Sequence, residues 1–144
     1  MDYTVEQIQG FCITGIKTRT DNTKAMQVIP KIWEQFFKEN TMDKIKDLVP
    51  GSGLYAVYTG YESDEHGEYD FIIGTRTYAC DGNNDFMSLE ISNGSYAVFT
   101  AKNNEQVAPA WPKIWQIDLK RAYISDFEWY DPKTGEVKIF VGIK

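Results

Sequence analysis

The sequence is short of the residues on which most site chemistry is built. It holds one histidine, His66, and two cysteines, Cys12 and Cys80. His66 lies in the acidic stretch between Glu62 and Asp70, and no Ser/His/Asp or Cys/His constellation assembles around it. The cysteines are far apart, with neither CxxC spacing nor a nearby histidine, which excludes a zinc motif and a disulfide framework. Two buried thiols in a cytosolic protein are expected. No run approaches the roughly 20 apolar residues of a membrane span. The opening MDYTVEQIQGF has neither the basic region nor the apolar run of a signal peptide, so the expected location is the cytoplasm. Gly51-Ser52-Gly53-Leu54 lacks the lysine and the following helix of a phosphate loop. Asp81-Gly82-Asn83-Asn84-Asp85 begins like a calcium loop, but Phe86 stands where the turn glycine belongs and Ser92 where the closing glutamate belongs. No metal and no cofactor is expected.

Positive charge is also scarce. Fifteen Lys and Arg stand against 21 Asp and Glu, a formal net charge of −6. Lys113, Lys120 and Arg121 are the densest basic group, and a thin one. An acidic chain repels phosphate backbones, so direct nucleic-acid binding is not expected.

Aromatic residues are what the chain has in quantity: 4 Trp, 9 Tyr and 8 Phe, 15% of 144 residues. They suit a large core, and they also suit the walls of a pocket for flat, apolar ligands. The length fits one domain, taken as residues 1–144.

An internal duplication organises the chain. Pro-Lys-Ile-Trp occurs at Pro30–Trp33 and again at Pro112–Trp115. Sliding the second onto the first carries Ser95-Ala97-Val98 onto Ile13-Gly15-Ile16 without a gap. Each copy then reads strand, polar loop, helix. Gly67–Gly74 resembles Gly135–Gly142, and each is preceded by a further strand, Leu54–Tyr58 and Asp126–Tyr130. Repeat one spans about 4–79 and repeat two about 86–144. Val28, Ile29, Ile32, Trp33, Phe36 and Phe37 form a helical stripe within a helix expected over Lys24–Asn40, which Pro30 kinks or begins. Met42–Leu48 suggests a short extra turn. The expected fold is α+β: two βαββ units about a pseudo-twofold axis, in one antiparallel sheet with both helices on one face.

A duplicated βαββ unit with a helix-borne tryptophan and the late strand Phe127-Glu128-Trp129-Tyr130-Asp131-Pro132 resembles the GyrI-like effector-binding domains. The resemblance runs from about Thr4 to Lys144. It implies a pocket between the halves for bulky, apolar, often cationic compounds, built from a buried glutamate and aromatic walls, with Glu128 at the glutamate's place. Such domains are ligand-sensing modules of multidrug-responsive transcription activators. Standalone members include hydrolases of cyclopropane-bearing genotoxins and DNA gyrase inhibitors. No part of these 144 residues is left over for a DNA-reading domain.

The residues themselves point the same way where the copies disagree. Ala56 stands in copy one where Glu128 stands in copy two, while Tyr58 matches Tyr130. Glu128 lies between Phe127 and Trp129, so it faces away from them and alongside Tyr130. The alternative is a glutamate on the solvent face of an amphipathic strand. Ile29 stands where copy two has Trp111, whereas Trp33 and Trp115 are shared and read as scaffold. Tyr55, Tyr58, Phe71, Tyr78 and Tyr96 lie on predicted strands and are candidates for an aromatic wall, each also fit for core or surface.

The expected ligand-binding set is thus Glu128, Trp111, Tyr130, Tyr58, Phe71 and Tyr96, and the expected partner a hydrophobic or cationic small molecule. The alternative is a hydrolase of strained electrophiles with Glu128 as catalytic general base. A third reading is a protein-binding gyrase inhibitor acting through the acidic loop Glu62–Asp70.

Overall fold

Successive side chains along a strand point to opposite faces, and eight strands join one sheet with a core on each face. They are β1 (Thr4–Ile8), β2 (Phe11–Thr20), β3 (Leu54–Thr59), β4 (Tyr69–Thr77), β5 (Met87–Ile91), β6 (Gly94–Ala101), β7 (Arg121–Tyr130) and β8 (Val137–Ile143). The helices are α1 (Ala25–Lys38), the single turn α2 (Thr41–Lys44) and α3 (Val107–Trp115). The computed structural model describes residues 1–81, 83 and 85–144, so the rejected calcium loop at Asp81–Asp85 falls partly outside the described residues.

The strand order is β1-β6-β8-β7-β3-β4-β2-β5, with every pairing antiparallel. Read from the centre outward, β7-β8-β6 mirrors β3-β4-β2. The expected class holds, but each unit carries one more strand than expected and reads ββαββ. Each extra strand pairs with the other half, β1 on β6 and β5 on β2. The halves are therefore laced together at both edges as well as joined at the centre.

The gapless superposition of the copies does not survive. Thr4 and Phe11 begin strands where Met87 and Gly94 begin theirs, one residue further on than the spacing that superposes Pro30 on Pro112. A slip of one residue exchanges the faces of a strand, so only the pairing register shows which residues are equivalent. Pro30 neither begins α1 nor ends it, since the helix runs from Ala25 through it to Lys38. Asn40, in the left-handed region at φ 51°, turns the chain out of that helix into α2.

Both helices lie on one face. Ile32 and Phe36 of α1 are buried with Ala56, Phe71 and Ile73. Val107, Ala110 and Ile114 of α3 are buried with Phe99, Ile139 and Val141. The other face has its own core, in which Ile13, Val57, Ile72, Ile91 and Phe127 are buried. Gly15 is paired with Gly74 across β2 and β4. A Cβ on either would strike a backbone carbonyl of the opposite strand, so glycine is required at both.

The two cysteines are not thiols. Cys12 on β2 and Cys80 just beyond β4 form a disulfide, with Cα atoms 5.3 Å apart. The β2–β4 register places Cys12 opposite Thr77, three residues before Cys80. A separation of 68 residues along the chain conceals that proximity. Cross-linking a loop of this length is worth about 4 kcal/mol by the chain-entropy relation. Urea unfolding of Cys12→Ser, or of the parent under dithiothreitol, should show a loss of this order. The unreduced, denatured parent should titrate no free thiol. Two titratable thiols and an unmoved midpoint would restore the original expectation.

Candidate functional site

Strand β7 separates its side chains cleanly. Phe127 joins the core on the face away from the helices, with Trp129 packed against it. Asp126, Glu128 and Tyr130 take the helical face. In the central pairing Glu128 stands directly opposite Ala56, with Tyr130 opposite Leu54 and Tyr58 opposite Asp126. The two positions singled out by the duplication therefore meet at the centre of the sheet, where the pseudo-twofold axis passes. The alanine methyl leaves space there that the glutamate side chain takes.

Glu128 is only 2% exposed. Tyr58 Oη donates to its Oε2 at 2.7 Å, and Trp111 Nε1 donates to the same oxygen at 2.8 Å. Tyr130 Oη donates to Oε1 at 2.6 Å. The two tyrosines, equivalent in the duplication, each give one hydroxyl to the single carboxylate between them. The third donor comes from α3, where copy one has isoleucine. The roof is aromatic: Tyr58 meets Trp111 edge-on at 5.2 Å and Phe71 at 5.0 Å, and Trp33 meets Tyr130 edge-on at 5.2 Å. Phe71 is fully buried, whereas Tyr58, Tyr130, Trp111 and Trp33 each keep a partly exposed rim.

A second carboxylate on the same face of β7 meets a different fate. Asp126 is wholly buried, and Arg121 Nη2 donates to its Oδ2 at 2.6 Å. The Gly142 amide donates to its Oδ1 at 2.8 Å, and the Tyr61 hydroxyl bonds its Oδ2. Five residues along a regular strand cover about 16 Å. The β7–β8 register is broken between Arg121 and Asp126, and this bulge folds the arginine back onto the aspartate. Tyr123 within it takes a left-handed φ of 54° and packs its ring under the guanidinium, 4.4 Å from Cζ. Asp126 is neutralised. Glu128 has only neutral donors, and among the described residues no ion pair reaches it.

The electrostatics follow from that difference. Burial pushes the Glu128 carboxyl above its ordinary 4.5, against the hydrogen bonds from Tyr130, Tyr58 and Trp111 that pull it down. Burial, and then the neighbouring carboxylate, hold the phenols of Tyr58 and Tyr130 well above their usual range, so both remain donors. Tyr69, against Tyr58, is pushed by burial to about 12.

Five of the six expected site residues thus come together: Glu128, Trp111, Tyr130, Tyr58 and Phe71. Tyr96 does not. It is buried on the opposite face, edge-on to Phe127, with its hydroxyl on the Ser92 carbonyl. Strand parity decides this, because Tyr96 and Ala97 point to opposite faces of β6 and Ala97 has the helical one. Tyr55 also joins the far face, and Tyr78 is 73% exposed. The shared tryptophans differ from each other: Trp33 reaches Tyr130 at the site, while Trp115 is 39% exposed. The sequence reading missed Trp33 as a neighbour of the site, and missed the Arg121–Asp126 pair. A second acid two residues before Glu128 was the available signal. The acidic loop is largely engaged within the chain. Glu65 bonds Tyr123, and Arg19 pairs with Glu68 and Asp70.

With this geometry in hand, the comparisons with known proteins decide the family. Residues 4–143 match the family described as Cass2, integron-associated effector binding protein. The chain belongs to that family. YobU of Bacillus subtilis (strain 168), whose name assigns it to transcriptional regulation, is 30% identical over 144 residues, covering 90% of each chain. An integron cassette protein from the mobile metagenome of Vibrio cholerae is 28% identical, with a TM-score of 0.81 over 99% of this chain and 95% of its own. SAV2435, solved with tetraphenylphosphonium bound, shares the fold at a TM-score of 0.81 and 18% identity, covering 100% of this chain and 94% of its own. The EcmrR C-terminal domain shares it at 0.54 and 12% identity, covering 99% and 98%. This effector-binding protein therefore has the GyrI-like fold. Among its described residues no helix is long and apolar enough to cross a membrane.

Two measurements probe the paired acids. Asp126→Ala strips a buried arginine of its partner and should cost about 3–5 kcal/mol in urea unfolding. A cost under 1 kcal/mol, the range of surface pairs, would contradict the buried pair. For Glu128, a carboxyl with a raised folded pKa favours the folded state below its unfolded pKa. That contribution is lost as pH rises through the folded value. Glu128→Gln does not titrate, so its stability relative to the parent should climb from about pH 4 towards neutrality. A difference that stays flat with pH would contradict a buried, unpaired carboxyl.

Proposed function

We propose that this effector-binding protein takes up bulky, apolar cations, with the Glu128 carboxylate as their counter-charge. One observation carries the reading: Glu128 is buried among neutral donors, while Asp126, two residues away, has its own arginine. Removing a carboxylate from water without a cation is costly, and a ligand cation relieves the cost where screening is weak. Among the rings nearby, Tyr58, Tyr130, Trp111 and Trp33, any that turned its face to the ligand would add about 0.5–2 kcal/mol. Because the carboxylate already has three donors, charge and shape matter more in a ligand than hydrogen-bond donors do.

Trp111 is the group most readily displaced. Tyr58 and Tyr130 belong to the sheet, whereas Trp111 rides on the nine-residue helix α3 and keeps one rim at the surface. A ligand enters by taking the indole's place above Oε2. The tetraphenylphosphonium bound by SAV2435 supports this ligand class. The name of YobU is consistent with ligand sensing within a regulatory system. A cytoplasmic setting belongs to the same reading, although the Cys12–Cys80 disulfide does not favour it.

One feature leaves a second reading open to test. Oε1 accepts a single donor, so it retains a lone pair for a water and for general-base hydrolysis of a strained electrophile. Product formation under turnover conditions, lost in Glu128→Gln, would mark that activity.

Titration with tetraphenylphosphonium, followed by tryptophan fluorescence and calorimetry, tests the binding reading. The parent should bind saturably, and Glu128→Gln at least about tenfold more weakly. Parent affinity should fall as acidification protonates Glu128, and Glu128→Gln should lose that pH dependence. Equal affinities in the two proteins would overturn the proposal.

A further inference from the structure

The far face of the sheet holds a cavity of about 330 Å³ with no part in the Glu128 site. This is within the usual range for small-molecule pockets. Its walls are aromatic. Phe127 and Phe140 stack at 4.5 Å between centroids, and Phe11 stands edge-on to Phe127 at 5.7 Å. Tyr55 and Trp129 complete the floor. Trp129 commits its Nε1–H to the Ser52 carbonyl at 2.6 Å, so its ring offers only apolar surface.

The polar groups around this cavity run against the charge of the whole protein. The chain carries 21 acidic residues and a net charge of −6, yet among the described residues no acidic side chain lines the cavity. Its polar rim is Arg76, Gln7 and Gln9. Arg76 lies with its Cζ 4.7 Å from the centroid of the Phe11 ring. Among the described residues it makes no ion pair. Burial raises the Tyr55 phenol beyond its ordinary value, so it stays protonated and able to donate. A cation, a phenol and two amides on an aromatic floor are complementary to a flat apolar body ending in an anion.

We propose that this cavity is a second ligand site, which takes small aromatic carboxylates with the carboxylate on Arg76 and the ring against Phe140 and Trp129. It lies across the sheet from Glu128 and has the opposite charge preference. Phe127 and Trp129 alternate with Glu128 along β7, so one strand carries walls of both sites. The two ligands do not overlap, and both can be bound at once.

Calorimetric titration with 2-naphthoate, and with 2-naphthalenemethanol as its neutral counterpart, tests the assignment. The parent should bind one naphthoate saturably, at least about tenfold more tightly than the alcohol. Arg76→Gln, a change at an exposed position, should reduce naphthoate to the level of the alcohol and leave the alcohol unchanged. Glu128→Gln should bind naphthoate as the parent does, and excess tetraphenylphosphonium should not displace it. Failure of tetraphenylphosphonium to bind at all would count against the Glu128 reading and leave this one standing. Equal affinity for acid and alcohol, indifference to Arg76→Gln, or competition between naphthoate and tetraphenylphosphonium would each overturn it.

Discussion

Burying one carboxylate without a cation constrains much of this structure. Glu128 sits at the centre of the β3–β7 pair, where the halves meet, and three side chains around it supply donors. Tyr58 and Tyr130 reach it from the two repeats, and Trp111 from the helix above. Three neutral hydrogen bonds make the charge tolerable without cancelling it. The carboxylate is held with its three donors in place and, among the described residues, with no cation beside it.

Asp126 shows what a satisfied alternative looks like in the same strand. There the chain accepts a broken register and a left-handed tyrosine to bring Arg121 back onto the acid. Two N–H-bearing atoms of that arginine, Nε and Nη1, remain buried without partners among the described residues. The pair pins the bulge within β7 and satisfies the Asp126 charge inside the chain. Within three residues the strand thus carries one acid paired with an arginine and one held only by neutral donors.

Strand alternation fixes which side chains of β7 lie on each face of the sheet. Glu128 and Tyr130 cannot leave the helical face without exchanging places with Phe127 and Trp129. The exchanged edge strands β1 and β5 help to hold this arrangement, since each ties one repeat to the other. Slippage at the centre would have to break pairings at both edges as well.

The duplication, the βαββ part of each unit and the singular positions Glu128 and Trp111 were legible in the sequence, whereas the extra first strand of each unit was not. Local periodicity and a repeated tetrapeptide record them directly, and both depend only on near neighbours in the chain. Long-range register is different, because it depends on which strands pair and by how many residues each is offset. It sent Tyr96 to the far face, broke the gapless match of the copies and brought Cys80 to Cys12 across 68 residues. It also joined Arg121 to Asp126 through a bulge that the sequence does not announce. A shift of one residue reverses a strand's faces while leaving its composition untouched. The chain alone therefore named the carboxylate and the rings, and the paired sheet decided which rings surround it.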